Sequence, residues 1–306
     1  MPARLKRLHN RPEQVVHQRL QTVCSQNDAH VYPKIRTADV LSIDNAGLSD
    51  TEYRYTLQSH FDFVAFDHSL WPLFAVEFDG PSHAGHKQRL RDAIKNRLCA
   101  AFELPLLRIN ANYITRQYRN RDLLTWIVDV WFLQRAFDDA QDRGLIPQEE
   151  GFASRFLSVE GSDESWPWWL SLPVYEEIER LHKAGDVLDD RPFSAVARAA
   201  DGTLHGIAWL ELTSQTAIYA TTAMRRQLFP IEEGDTVEQL AEFELYEVLQ
   251  RVRSGRTPSL PTHQVDAAIR QFRYKHEPFQ SSVHGNMGGL MQRQYAAFGG
   301  LTPAST

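Results

Sequence analysis

The sequence predicts an α/β fold: a small mixed sheet flanked by helices over residues 1–146, followed by a smaller α+β domain over residues 151–306. Three observations lead there. Apolar segments with strand character fall at residues 60–67, 73–80 and 104–110, and stretches with helical periodicity lie before, between and after them. Alternation of helices with buried strands is the pattern of a sheet covered by helices. A polar stretch at 147–151 then separates a second half with its own hairpin and helix signals.

The elements follow in order. Residues 11–24 read as a helix, with Pro12 in its first turn and Val15, Val16, Leu20 and Val23 as its apolar stripe. Residues 31–41 read as extended, and 42–52 as a polar loop. Residues 60–67 alternate polar and apolar, as a half-buried strand does. Residues 73–80 are apolar almost to their end, as in a central strand, and Gly80 and Pro81 stop them. Residues 86–102 form a charged amphipathic helix with Leu90, Ala93, Ile94, Leu98 and Ala101 on one face. Residues 104–110 give another buried strand. A long helix over 119–143 ends at Gly144 and Pro147.

In the second half, Trp166, Trp168 and Trp169 cluster as a packing knot or domain interface rather than a base-stacking platform. Residues 193–222 read as strands around an Asp201–Gly202 turn. Residues 236–253 read as a helix that Thr236 and Gln239 cap, and 265–276 as another; the tail after Pro278 is rich in Gly, Ser and Gln.

Composition excludes several function classes. With 42% hydrophobic and 24% charged residues over 306 positions, the chain reads as globular. No run reaches the 18 or so apolar residues of a membrane span, and the basic start lacks the apolar core of a signal peptide, so a cytoplasmic protein with no membrane partner is expected. Cys24 and Cys99 sit among apolar residues and read as core positions, neither a disulfide framework nor a zinc site. The net charge of -6 excludes a generally basic polyanion binder; nucleic acid would have to be met through a local patch.

The chemistry lies between residues 60 and 110. Asp62 begins one strand, and Glu77 and Asp79 end the next on a single face, since strand side chains alternate. Paired as a hairpin, the two strands bring Asp62 and Glu77 together at a sheet edge. Oxygen ligands of this kind suit Mg²⁺ or Mn²⁺, which can activate water for phosphodiester hydrolysis.

These residues carry a resemblance. His60–Phe61–Asp62–Phe63, Val76–Glu77–Phe78–Asp79–Gly80, His83, Asp92 with Lys95, and Leu104–Pro105–Leu106–Leu107–Arg108, preceded by Glu13, occur in the order seen in the PD-(D/E)XK, or restriction-endonuclease-like, nucleases. The match is nearest to bacterial domains related to very-short-patch-repair endonucleases and covers roughly residues 10–112. It implies a restriction-endonuclease-like core and a metal-dependent endonuclease acting on DNA, in defence or repair. Asp62 and Glu77 would be metal ligands, with the Phe78 carbonyl as a third. Asp79 stands where the superfamily usually has its lysine, so Lys95, with Lys87 as its rival, would supply the positive charge. His83 would act as general base or phosphate ligand, His86 being the substitute, and Glu13 would tether a water or the lysine.

Structural readings stand beside these. Asp79–Gly80 suits a plain turn, Glu13 suits a helix first turn, and Lys95 lies in a charge run that reads as a solvated face. Arg270, Arg273 and Lys275, interleaved with Phe272 and Tyr274, read either as a nucleic-acid-contacting helix or as an ordinary amphipathic one. A non-catalytic nucleic-acid- or protein-binding module on the same fold, and an RNA nuclease, are the other functions in view. A homodimer or partner protein would suit double-strand cutting.

Overall fold

The computed structural model describes residues 10–80, 86–159 and 161–279. Among these the chain is mixed α/β and divides into two compact units, one built on the described residues up to 133 with 227–230, the other on those of 134–226 and 231–279.

The first unit opens with α1 (Arg11–Ser25). Its start is a capping box: Asn10 Oδ1 accepts from the Glu13 amide at 2.9 Å, and Glu13 Oε2 accepts from the Asn10 amide at 3.0 Å. β1 (His30–Arg36) follows, then α2 (Thr37–Val40), so only the first part of the segment read as extended is a strand. α3 (Asp50–Gln58) begins inside the stretch read as loop. Ser49 and Glu52 cap it reciprocally, which lets a short helix with one buried residue, Thr56, hold its shape. β2 (His60–Phe66), β3 (Pro72–Phe78), α4 (His86–Ala101) and β4 (Leu106–Ile109) come next, and after them α5 (Asn112–Thr115), the short hairpin β5 (Gln117–Tyr118) and β6 (Arg121–Asp122), and α6 (Leu123–Asp142).

The sheet runs β1-β2-β3-β4, antiparallel except for the parallel β3–β4 pair, which needs α4 as its crossover. Phe61, Ala75 and Leu106 pack with Leu98 and Cys99 of α4. Phe63 stacks on His17 of α1, and Phe74 meets Trp131 of α6 edge-on at 5.0 Å. The α4 face differs from expectation: Leu90, Ala93 and Ala101 are exposed, whereas Lys95 is buried beside Leu98 and Cys99. Cys24 and Cys99 are free and buried, and burial lifts both thiols to about 12, which leaves them unreactive.

The second unit contains a 3-10 turn (Ser154–Phe156), α7 (Leu172–Ala184), β7 (Phe193–Arg198), β8 (Leu204–Glu211), β9 (Thr216–Met224), α8 (Glu233–Arg253), β10 (Leu260–Pro261), α9 (Thr262–Lys275) and β11 (Glu277–Pro278). The strands form a sheet of order β10-β9-β8-β7-β11. Gly202 takes φ +86° at the β7–β8 turn, a conformation that glycine adopts without strain. Trp169 packs with Phe156 and Leu172, as a packing knot should. α8 begins earlier than expected, so Thr236 is not its cap; its hydroxyl donates to the Glu232 carbonyl, and Gln239 bonds Asp235 instead. Among the described residues no helix is long and apolar enough to cross a membrane.

Candidate active site

The β2–β3 ladder runs from Phe66 to the Phe63–Val76 pair and stops there. Beyond it, two carboxylates take over from backbone pairing. The Asp62 amide donates to Glu77 Oε1 at 3.3 Å, and the Phe78 amide donates to Asp62 Oδ2 at 2.9 Å. The splayed strand ends therefore hold Asp62 and Glu77 side by side.

Each carboxylate meets an ammonium. Lys95, only 6% exposed, donates from Nζ to Glu77 Oε1 and to the His60 carbonyl, both at 2.8 Å, and its Nζ lies 5.3 Å from the Phe61 ring centre. α4 thus turns one lysine of a charge run inward, because a buried carboxylate at the end of β3 requires a counter-charge. Lys34 Nζ lies 2.6 Å from Asp62 Oδ1 and 3.1 Å from Glu13 Oε1. Glu13 Oε2 caps α1, as a first-turn acid does, and its Oε1 meets Lys34 rather than Lys95, the lysine expected for it.

Lys34 escaped the sequence reading. It sits in β1 opposite Asp62 with φ +54°, a left-handed conformation uncommon for a side-chain-bearing residue. The ladder skips it, pairing Pro33 with Phe63 and Ile35 with Phe61. Its partners lie 21 and 28 positions away, beyond any local spacing rule. A lysine two residues before the end of a strand was the sole available signal.

A second charge group adjoins the first. Arg108, buried on β4 in register with Glu77, contacts Asp79 at 3.3 Å and Asp92 at 3.2 Å, and its Nε donates to Asn96 at 3.0 Å. Asp79 is therefore held on a guanidinium. The Arg108 backbone is clamped by Gln227, whose Oε1 accepts from the amide at 2.9 Å.

Burial pushes Glu77 above the usual carboxylate range; the Lys95 charge opposes this, and Asp62 reinforces it. Partial burial alone would lower Lys34, but its bond to Asp62, the Asp62 charge and then Glu13 outweigh that and raise it. Tyr55 is lifted to about 12 by burial and then by the Glu77 charge.

Of the residues expected at the site, Glu13, Asp62, Glu77 and Lys95 come together, and Phe78 joins through its amide. His83 lies outside the described residues, as do the side chains of His86 and Lys87. Arg270, Arg273 and Lys275 lie on α9. Among the described residues no group of three or more His, Cys, Asp and Glu side chains is placed to hold a metal. The donor set still suits a hard cation that keeps most of its waters, as Mg²⁺ does with one or two carboxylates. The hydrogen bonds to the Glu77 carboxylate all fall on Oε1 among the described residues.

Residues 5–125, which contain Glu13, Lys34, Asp62, Glu77, Lys95 and Arg108, match the model of a family described as a protein of unknown function (DUF2726). No curated protein and no solved structure matches the chain.

Proposed function

We propose that the first unit is a metal-dependent phosphodiesterase that cleaves DNA, built on a restriction-endonuclease-like core. One observation carries the reading: the adjacent Asp62 and Glu77 carboxylates at a splayed strand end, with the buried Lys95 ammonium 2.8 Å from Glu77. Acid pairs beside an inward lysine suit phosphoryl chemistry, in which negative charge must be neutralised as water attacks.

Asp62 and Glu77 would hold Mg²⁺ or Mn²⁺, with the Phe78 carbonyl as a further donor. When bound, the ion supplies charge to the phosphodiester and a more acidic water. The chain does the rest. Lys95 holds Glu77 and lends positive charge to the scissile group. The Glu13–Lys34 pair fixes Asp62. Arg108 keeps Asp79 and Asp92 oriented, so Asp79 acts as a positioning residue here. His83 is proposed as the proton acceptor.

A second reading rests on Lys34 and Lys95 themselves. With an ammonium already on each carboxylate, the group is a satisfied ion-pair cluster that is stable without any ion, as a non-catalytic binding module would have. Incubating the full chain with plasmid, linear duplex, single-stranded DNA and RNA, in Mg²⁺, Mn²⁺ or EDTA, separates the two. Metal-dependent cutting supports the enzyme, preferential cutting of RNA moves the substrate, and no cutting under any condition leaves the binding module.

A further inference from the structure

The C-terminal half of α9 carries three cations and an exposed tyrosine. Several other exposed cations of the unit pair with acids: Arg180 and Arg253 with Glu177, Arg143 with Asp139. Arg270, Arg273 and Lys275 are exposed and form no ion pair among the described residues. Tyr274, between them, is 92% exposed, the largest value among the exposed apolar and aromatic side chains described. A tyrosine ring held wholly in water gains nothing for the fold.

Beside this helix lies an open cleft of about 460 Å³ against β8 and β9. Lys275 and Gln271 line it from α9, and Thr221 and Tyr219 from β9. One wall is a pair of imidazoles, His205 and His276, stacked at 4.3 Å and 14°, with Phe272 edge-on to His276 at 5.3 Å. Phe272, Ile269 and Val265 anchor the helix to the sheet, so the outer face is presented on a fixed element. Along the chain the nearest acids are Asp266 and Glu277, which flank this stretch rather than interrupt it.

We propose that the outer face of α9 and its cleft with β8 and β9 bind a single strand of nucleic acid. Arg270, Arg273 and Lys275 contact successive phosphates. Tyr274 stacks on a base, and the cleft takes a neighbouring nucleotide against the His205–His276 stack. A volume of this size suits one small polar ligand. Flat rings call for an unstacked base, which a single strand offers and a duplex conceals. An acidic peptide would satisfy the cations but give Tyr274 no planar partner. In a chain of net charge -6, attraction of a polyanion has to come from a local patch such as this one. The inference shares its ligand class with the nuclease reading but uses none of the Glu77 residues.

The test is fluorescence anisotropy on the full chain in EDTA, with a labelled 15-nucleotide single strand, the same sequence as duplex, and a poly-glutamate competitor. The single strand is expected to bind better than the duplex, with a slope of log affinity against log salt of about -2 for three phosphates. Tyr274→Ala should weaken binding roughly tenfold. The triple change of Arg270, Arg273 and Lys275 to Ala should remove most of the salt slope. All four side chains are exposed, so the fold should survive. Unaltered binding in these variants, equal preference for duplex, or full competition by poly-glutamate would overturn the proposal. Absent binding with metal-dependent cleavage intact would sink this inference alone; binding without cleavage would sink only the nuclease.

Discussion

The Nζ of Lys95 lies 2.8 Å from Oε1 of Glu77, and both side chains are buried. An ion pair in the interior is costly to desolvate, and a well-packed apolar pair often replaces one without loss. Its place at a splayed strand end, beside a second carboxylate, is the geometry on which the proposed function rests.

Removing one partner should therefore hurt more than removing both. Glu77→Gln strands a buried ammonium and should cost about 3–5 kcal/mol. Glu77→Gln combined with Lys95→Met should recover most of that. Urea unfolding of the two single variants and the double variant measures the coupling; additive losses would mean that the pair is solvated in solution.

Lys34 offers a separate test of local strain. At φ +54° an asparagine or glycine fits, whereas a β-branched side chain does not. Lys34→Asn should lower the proposed metal-dependent cleavage by loosening Asp62 while changing stability little. Lys34→Val should cost a further 1–3 kcal/mol or so of backbone strain. Equal melting temperatures for the two would place Lys34 in ordinary extended conformation.

In the second unit, Glu242 is buried, with Ser171 and Tyr175 donating to it at 2.6 and 2.7 Å. Glu238 and Asp235 share the cluster's one guanidinium, Arg155. Burial lifts Glu242 to about 7, partly offset by Arg155. The folded state thus keeps a proton that the unfolded chain releases near 4.5. Its contribution to stability is complete at low pH and is lost as pH rises from there through 7, by about 3 kcal/mol. The difference in unfolding free energy between Glu242→Gln and wild type should rise in favour of the variant between pH 5 and 8. A flat difference would show that the carboxylate is ionised throughout.

Gly206 on β8 lies directly under α8. An added Cβ would meet the Val237 carbonyl oxygen at 2.9 Å and the Ala241 Cβ at 3.0 Å. Gly206→Ala should destabilise by about 1–3 kcal/mol. Thermal unfolding unchanged by this substitution would mean that the helix and strand are not so tightly apposed.

Much of the first sheet is legible before any coordinates. The apolar runs around Phe63, Val76 and Leu107 have few alternatives to central strands, and Gly80–Pro81 ends one of them visibly. Asp62 and Glu77 meet because strand alternation and a short turn leave them little choice. α3 was less visible because its stability comes from the Ser49–Glu52 cap rather than from an apolar stripe. The inner face of α4 was misjudged for a different reason. Counting apolar residues places Leu90 inside, at 53% exposed, and Lys95 outside, whereas the demand of Glu77 for a counter-charge rotates the assignment. Lys34 depended on a backbone conformation and on partners remote in sequence, neither of which periodicity reports. The cap assigned to Thr236 failed because α8 begins earlier, at Glu233, and buries Gln239.

The most direct measurement is the initial rate of DNA cleavage in Mg²⁺ and in Mn²⁺ for wild type, Glu77→Gln, and Glu77→Gln with Lys95→Met, all at a temperature where each is folded by circular dichroism. Metal-dependent cutting is expected from wild type, with a loss of roughly a hundredfold or more in both variants, the scale of several kcal/mol of charge stabilisation at the transition state. Cleavage that persists at the wild-type rate without Glu77 would contradict the proposed site.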